Sequence, residues 1–248
     1  MTARTVGSMP HLVWDWNGTL LDDFTLVLDA TNASLASVGG PTVTAEEHRR
    51  DFRRPIVDYY AHVLGRPVTP AEFHALDDAF HVAYRAGLDE CQLAPDALAA
   101  IAAWAGPQSL LSMFFHEELV PAVTRRGLLA HLRRIDGLRD AVGGGPKEPH
   151  LRTHLAALEI EPADCVLIGD SIDDAEAAAS VGARVVLYAG GFTDLERLQA
   201  TGAPVARTLL EAVTLARAGG VWTEERRERS DQSDEGRRRV GRPGPVRA

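Results

Sequence analysis

The sequence predicts an α/β protein: a doubly wound parallel sheet interrupted by an inserted all-helical block. Three observations predict it. A short apolar run, HLVW at residues 11–14, ends in a carboxylate and a turn-rich loop, WNGTLLDD. The next eighty or so residues carry helical periodicity only, and strand-like and helix-like segments then alternate to about residue 215. Such alternation implies βαβ units and a mostly parallel sheet with helices on both faces, whose ligands sit at the carboxyl ends of the strands.

The elements are read in chain order. HLVWD is a buried strand feeding a turn. From Phe24 to Ala103 the stretches FTLVLDATNASLASV, IVDYYAHVL and AEFHALDDAFHVAYRAGL are helical, separated by Gly and Pro, with no convincing strand among them. QSLLSM (108–113) is the second strand, followed by a helix over 116–134 and a weak strand near AVGGG (141–145). A helix around HLRTHLAALEI, a strong strand at CVLIGD, a helix, a strand at RVVLYA and a short strand at PVAR complete the pattern. Beyond Val221 the chain is rich in charge, Gly and Pro and nearly devoid of large apolar residues, which predicts a disordered tail whose RRR cluster is solvated. The expected organisation is a core of residues 1–23 and 105–220, a helical insertion of 24–104, and a charged tail of 221–248.

Composition narrows the function. A 45% hydrophobic content in 248 residues is ordinary for a globular protein with a sizeable core. The net charge of −9 argues against a nucleic-acid partner. No apolar run at the N-terminus resembles a signal peptide and none later is long enough to span a bilayer, so the expected location is the cytoplasm, with no membrane partner. Cys91 and Cys165 are far apart and read as two reduced thiols. Nothing in the sequence indicates the oligomeric state. Of the 26 basic residues only Lys147 is a lysine. In a chain that uses arginine everywhere else, it marks a place where a compact ammonium is needed, or a chance survivor on a solvated loop.

Four short runs stand at strand ends or in neighbouring loops: Asp15-Trp16-Asn17-Gly18-Thr19 after the first strand, Ser112 at the end of the second, Lys147 in the third interval, and Gly169-Asp170-Ser171-Ile172-Asp173-Asp174 after CVLIG. Their order resembles the four motifs of the haloacid-dehalogenase-like (HAD) hydrolases, most closely the phosphoglycolate-phosphatase-like members with a helical cap, over residues 10 to 215. The resemblance implies a Rossmann-like HAD core and a cap closing over the site. It implies Asp15 as the nucleophile, forming an aspartyl phosphate, and Mg²⁺ held by Asp15, Asp170 and the backbone carbonyl of Asn17, with Asp174 holding a metal-bound water. It further implies Ser112 with the backbone amides around Gly18 and Thr19 on the phosphoryl oxygens, and Lys147 balancing charge. The chemistry is coherent: a carboxylate attacks phosphorus only when the repulsion between two anions is relieved, and Mg²⁺ favours oxygen ligands.

Asn17 departs from the pattern, which has a second, proton-exchanging Asp there. His116, Asp22 and Asp23 lie near enough in sequence to be considered as substitutes, although a helix-start role competes for each. His48, His62, His74 and His81 read as surface residues of the insertion. Arg53 and Arg54 form a basic pair suited to a second anionic group of the substrate. The expected activity is hydrolysis of a small phosphorylated metabolite such as phosphoglycolate or a sugar or cyclitol phosphate. A phosphoryl transferase or mutase, or a slow, non-catalytic phospholigand-binding protein, are the alternatives that Asn17 leaves open. Phosphonate cleavage needs a cap lysine, which this chain lacks, and dehalogenation needs no paired downstream acids.

Overall fold

The computed structural model describes residues 9–139 and 145–218, so the charged tail expected at 221–248 lies outside the described residues. Six parallel strands form the main sheet in the order β5-β4-β1-β6-β7-β8. These are β1 (His11–Trp14), β4 (Gln108–Phe115), β5 (Ile135–Leu138), β6 (Cys165–Gly169), β7 (Arg184–Tyr188) and β8 (Val205–Ala206). The apolar runs in β1 and β6 are continuous because both faces of the sheet are covered. Alternate residues divide between the two faces. Leu12, Trp14, Val166 and Ile168 join one cluster with Leu119, Val123, Leu209 and Val213 of α6 (His116–Arg125) and α10 (Leu209–Ala218). Val13, Cys165 and Leu167 join the other, with Leu151 and Leu155 of α7 (Glu148–Ala157) and Ala177 and Ala178 of α8 (Ile172–Val181). This two-sided packing makes the sheet doubly wound, as the sequence predicts.

Four helices follow β1: α1 (Phe24–Ser37), α2 (Ala45–Asp51), α3 (Ile56–Leu64) and α4 (Pro70–Gly87). Leu35, Val43, Tyr60 and Leu76 give them a small apolar cluster of their own. Their starts follow local chemistry: Thr44 and Glu47 form a reciprocal capping box on α2, and Thr69 caps α4 just ahead of Pro70.

Two expectations are corrected. The block is not wholly helical, because β3 (Gln92–Leu93) pairs antiparallel with β2 (Leu21–Asp22); two-residue strands are too short to leave a period-two pattern. Behind β3, α5 (Ala97–Ala103) packs beside α10 at the sheet, and Leu210 N–H donates to Asp96 Oδ2 at 2.9 Å. The helix expected over 116–134 stops at Arg125, since Gly127 takes a left-handed φ of 74°. In the third interval a strand forms at Ile135–Leu138, and residues 141–144 of the AVGGG segment expected as a strand lie outside the described residues. One further helix, α9 (Leu195–Ala200), joins β7 to β8. Among the described residues no helix is long and apolar enough to cross a membrane.

Candidate active site

The carboxyl ends of β1, β4, β6 and β7 converge on a cavity of ≈ 30 Å³ lined by Asp15, Asn17, Ser112, Lys147 and Asp170, with Phe52, Arg54, Met113, Asp173 and Phe192 among its other walls. Parallel strands aim their carboxyl ends at one crevice, so residues far apart in sequence meet there. A larger open groove of ≈ 490 Å³ along α8 and α9 is lined mostly by alanines, Ile172 and Thr201, with Glu176 and Arg197. It lacks a convergent set of polar groups, so size alone does not mark the site.

Lys147 is the electrostatic centre. It is 3% exposed, which rules out a solvated-loop lysine. Its Nζ lies 2.7 Å from Asp15 Oδ1 and donates to Asp174 Oδ1. It stands at the N-cap of α7, the positive end of a helix and a poor place for a cation. Burial disfavours its charge, yet Asp15 and Asp174 more than compensate and hold its pKa above the ordinary lysine value. Asp173 accepts the Lys147 backbone N–H on both oxygens, at 3.2 and 3.1 Å.

Asp15, Asp170 and Asp174 are all buried, and each offers a carboxylate oxygen within 4.8 Å of the others. Asp170 accepts from Thr19 Oγ1 at 3.0 Å and from the Phe192 N–H at 2.7 Å. Asp174 is the N3 partner in a capping box with Ser171, whose hydroxyl donates to Oδ2 at 2.6 Å. Burial pushes Asp15 up to about 6 against the pull of Lys147, and burial together with Asp15 and Asp174 raises Asp170 well above the carboxylate range. Once all three are ionised, three carboxylates against one ammonium leave two negative charges in excess. That excess, and an all-oxygen donor set, fit a divalent ion such as Mg²⁺.

The loop after Asp15 is built tightly. Gly18 has a φ of 71°, and a Cβ there would meet Asp170 Oδ2 at 2.5 Å, so only glycine fits. Its N–H donates to Asp23 Oδ1 at 2.8 Å, and the Thr19 N–H donates to Trp16 O at 3.2 Å. This corrects the expected phosphoryl-gripping role of both amides. They hold the loop, and Thr19 acts through Asp170. Asn17 donates from Nδ2 to Asp23 Oδ2 at 2.8 Å and to the Tyr84 hydroxyl at 2.7 Å, and its Oδ1 accepts from Ser112 Oγ at 3.1 Å. Ser112 Oγ also accepts from the Phe114 N–H at 3.0 Å, where the register of β4 against β5 shifts.

Of the basic pair, Arg54 lines the cavity, with Nε 3.6 Å from Asp173 Oδ2. Arg53 does not line it and donates to Asp51 O at 2.8 Å, because successive side chains leave this extended segment in different directions. His116 is also outside: its Nδ1 accepts from Gly137 N–H at 3.2 Å. Asp22 is exposed, whereas Asp23, 1% exposed, makes no cap bond to α1 and turns to the loop instead.

His62 and His74 are exposed as expected and His81 is half-buried, but His48 is 1% exposed. Its ring packs on Phe52 at 5.2 Å and meets Phe24, Tyr59 and Phe192 edge-on, and burial pushes its pKa down to about 4. Arg49 lies 3.6 Å over the Phe24 ring and donates to Gly191 O at 3.1 Å, so α2 sits against the β7–α9 loop that carries Phe192. Sequence reading named Asp23 only as a candidate substitute for the missing acid, and it missed Tyr84 and Phe192. Tyr84 in α4 and Phe192 after β7 carry no local signal, and only the fold brings them to the loop.

Comparison with known proteins agrees with this geometry. Residues 142–212 match the family described as HAD-hydrolase-like. A phosphoglycolate phosphatase of Rhodospirillum rubrum is 26% identical over 197 residues, covering 73% of this chain and 80% of that protein. Among solved structures, a haloacid dehalogenase-like hydrolase of Streptococcus pneumoniae superposes with a TM-score of 0.72 at 18% identity, covering 84% of this chain and 98% of the other. A hydrolase from Pseudomonas syringae gives 0.69 at 20% identity, covering 82% and 95%. Matched segment, sheet and order of motifs converge on one likeness: over residues 142–212 the chain resembles the HAD-hydrolase-like family, and its fold is that of the haloacid dehalogenase-like structures.

Proposed function

We propose that the protein is a magnesium-dependent phosphatase of small phosphorylated metabolites, phosphoglycolate or a sugar or cyclitol phosphate, with Asp15 as nucleophile. The observation that carries this reading is the buried Asp15–Lys147–Asp174 arrangement beside Asp170, with its two uncompensated negative charges. Asp15, Asp170 and Asp174, with the Asn17 backbone carbonyl, would hold the ion, which when bound supplies charge neutralisation at the phosphoryl group. Lys147 holds Asp15 Oδ1 in place, leaving the other carboxylate oxygen for attack, and carries positive charge to where negative charge gathers in the transition state. Ser112 would grip a phosphoryl oxygen by turning its hydroxyl away from Asn17 Oδ1.

The helices of 24–87 act as a cap. A cavity of ≈ 30 Å³ holds only about two water molecules, so substrate enters when Phe52 and Arg54 swing out and is sealed from water when they return. Arg54 then exchanges Asp173 for an anionic group of the substrate. The relative from Rhodospirillum rubrum supports this class of substrate. The test is phosphate release from a panel of such esters with Mg²⁺ or EDTA, beside an Asp15→Asn variant. Release that requires both the metal and Asp15 is expected; release that survives in the variant would overturn the proposal.

A further inference from the structure

Every hydrogen-bonding atom of the Asn17 side chain is engaged by the protein. One amide proton goes to Asp23 and one to the Tyr84 oxygen, while Oδ1 accepts from Ser112. The orientation follows from its partners, because Tyr84 gives its own proton to Asp23 Oδ2 at 2.7 Å and has only lone pairs left to offer the amide. A flipped amide would set its oxygen against the Asp23 carboxylate. Asn17 is therefore a strut between the cleft and the helical segment, and it has no proton to give.

The other proton-bearing groups around the cavity are committed as well, and a proton on Asp15 or Asp170 would be displaced by a divalent ion bound there. Lys147 is held between Asp15 and Asp174, and the Ser171 hydroxyl donates to Asp174. Asp173 receives the Lys147 amide on both oxygens and faces Arg54. Among the described residues no histidine lines the cavity; His48 stands behind Phe52 and Phe192 with its Nδ1 bonded to the Tyr59 hydroxyl at 2.9 Å, and its buried Nε2, which has no partner, lies outside the cavity lining.

We infer that the leaving group departs as an anion, without a proton from any side chain, and that the preferred substrates are phosphates of acidic oxygens: acyl, enol or aryl phosphates. The inference rests on Asp15 being the nucleophile. In the first step a carboxylate oxygen of Asp15 bonds to phosphorus, and the bond from phosphorus to the leaving oxygen breaks, its electron pair leaving with that oxygen. In the second, water bonds to phosphorus, the bond to Asp15 breaks and the carboxylate is restored, while the water's proton passes to the released phosphate or solvent. Among the described residues neither step has a side-chain acid or base, whose help is typically worth about 10²- to 10⁴-fold. Alkyl phosphates, the phosphoglycolate, sugar and cyclitol esters named above among them, are then hydrolysed at the same site but slowly, limited by the first step. With an acidic leaving group the second step limits turnover, and the phosphorylated protein accumulates.

Acetyl phosphate and ethyl phosphate test this, being similar in size and different in leaving-group acidity. With Mg²⁺, acetyl phosphate is expected to turn over at least about 10²-fold faster, with acid-quenched protein carrying close to one phosphate per chain. The double substitution Asn17→Asp with Asp23→Asn keeps one carboxyl and one amide face to face and puts the carboxyl at the cleft. It is expected to shrink the preference at least about tenfold and to remove the accumulated phosphoprotein. Asp15-dependent release that is equally fast from both compounds overturns this inference alone, as does a preference unchanged in the double variant. Absence of any Asp15-dependent release overturns the phosphatase reading and this inference with it.

Discussion

The two ends of the same sheet carry two buried polar networks that differ in kind. At the amino end, His11 Nε2 lies 2.7 Å from Ser109 Oγ, Ser109 Oγ lies 2.7 Å from His154 Nε2, and His154 Nδ1 lies 2.7 Å from Asp136 Oδ2, which also pairs with Arg134. Protons can be assigned along this chain so that every partner is satisfied: His11 donates to Ser109, Ser109 to His154, and His154 to Asp136. At the carboxyl end, carboxylates outnumber their counter-ions and adjoin a cavity. A serine, a histidine and an aspartate in hydrogen-bonded sequence mean nothing catalytic when Ser109 is fully buried. A closed, neutral network holds β1, β4, β5 and α7 together, whereas an open, charged one awaits a ligand.

The sharpest way to break the comparison is at Asp15. Asp15→Asn is expected to lower phosphate release by on the order of 10⁴-fold or more, while Ser109→Ala leaves the rate per folded molecule unchanged. Replacing Lys147 with Met strands buried carboxylates and is expected to cost about 3–5 kcal/mol at neutral pH, read from the urea midpoint, with part of the loss regained in acid as those carboxyls protonate. Lys147→Arg should fail too, because a planar fork does not fit between Asp15 and Asp174 in a slot closed to solvent. At the other end, His154→Ala leaves Ser109 and Asp136 short of a partner and is expected to cost about 1–3 kcal/mol.

Acid distinguishes the two ends more gently. Burial, with His154 and Arg133 nearby, holds His11 down at about 4, so the unfolded chain binds a proton there between pH 6.5 and 4 that the folded chain does not. Its contribution to stability is present above 6.5 and is lost as pH falls to 4, a slope that His11→Gln should flatten in urea titrations. At the carboxyl end, Asp15 at about 6 and Asp170 above its ordinary value hold protons that a divalent ion must displace. The rise in Tm on adding Mg²⁺ is therefore expected to grow as pH climbs through 6 and to fade toward pH 5.

Legibility followed the same division. Asp15, Ser112, Lys147 and Asp170 could be found in sequence because each sits at or near the end of a readable strand or in a loop beside one, and Lys147 stood out against a field of arginines. The alternation of strands and helices likewise pointed to the two-sided sheet, on which Trp14 and Val13 face opposite clusters. Gly18 and Thr19 were assigned to the wrong partner, since nothing local shows that Asp23 and Trp16 take their amides. Arg53 and Arg54 are neighbours in sequence and divergent in space. Tyr84, sixty-one residues from the Asp23 it donates to, is visible only once α4 is folded over the loop.

The central claim is tested most directly by rapid acid quench during turnover of acetyl phosphate with Mg²⁺, followed by mass analysis of the peptide containing Asp15. A phosphoryl adduct on Asp15 that disappears with EDTA is predicted. Continued phosphate release with no adduct on that residue, or with one on another, would contradict it.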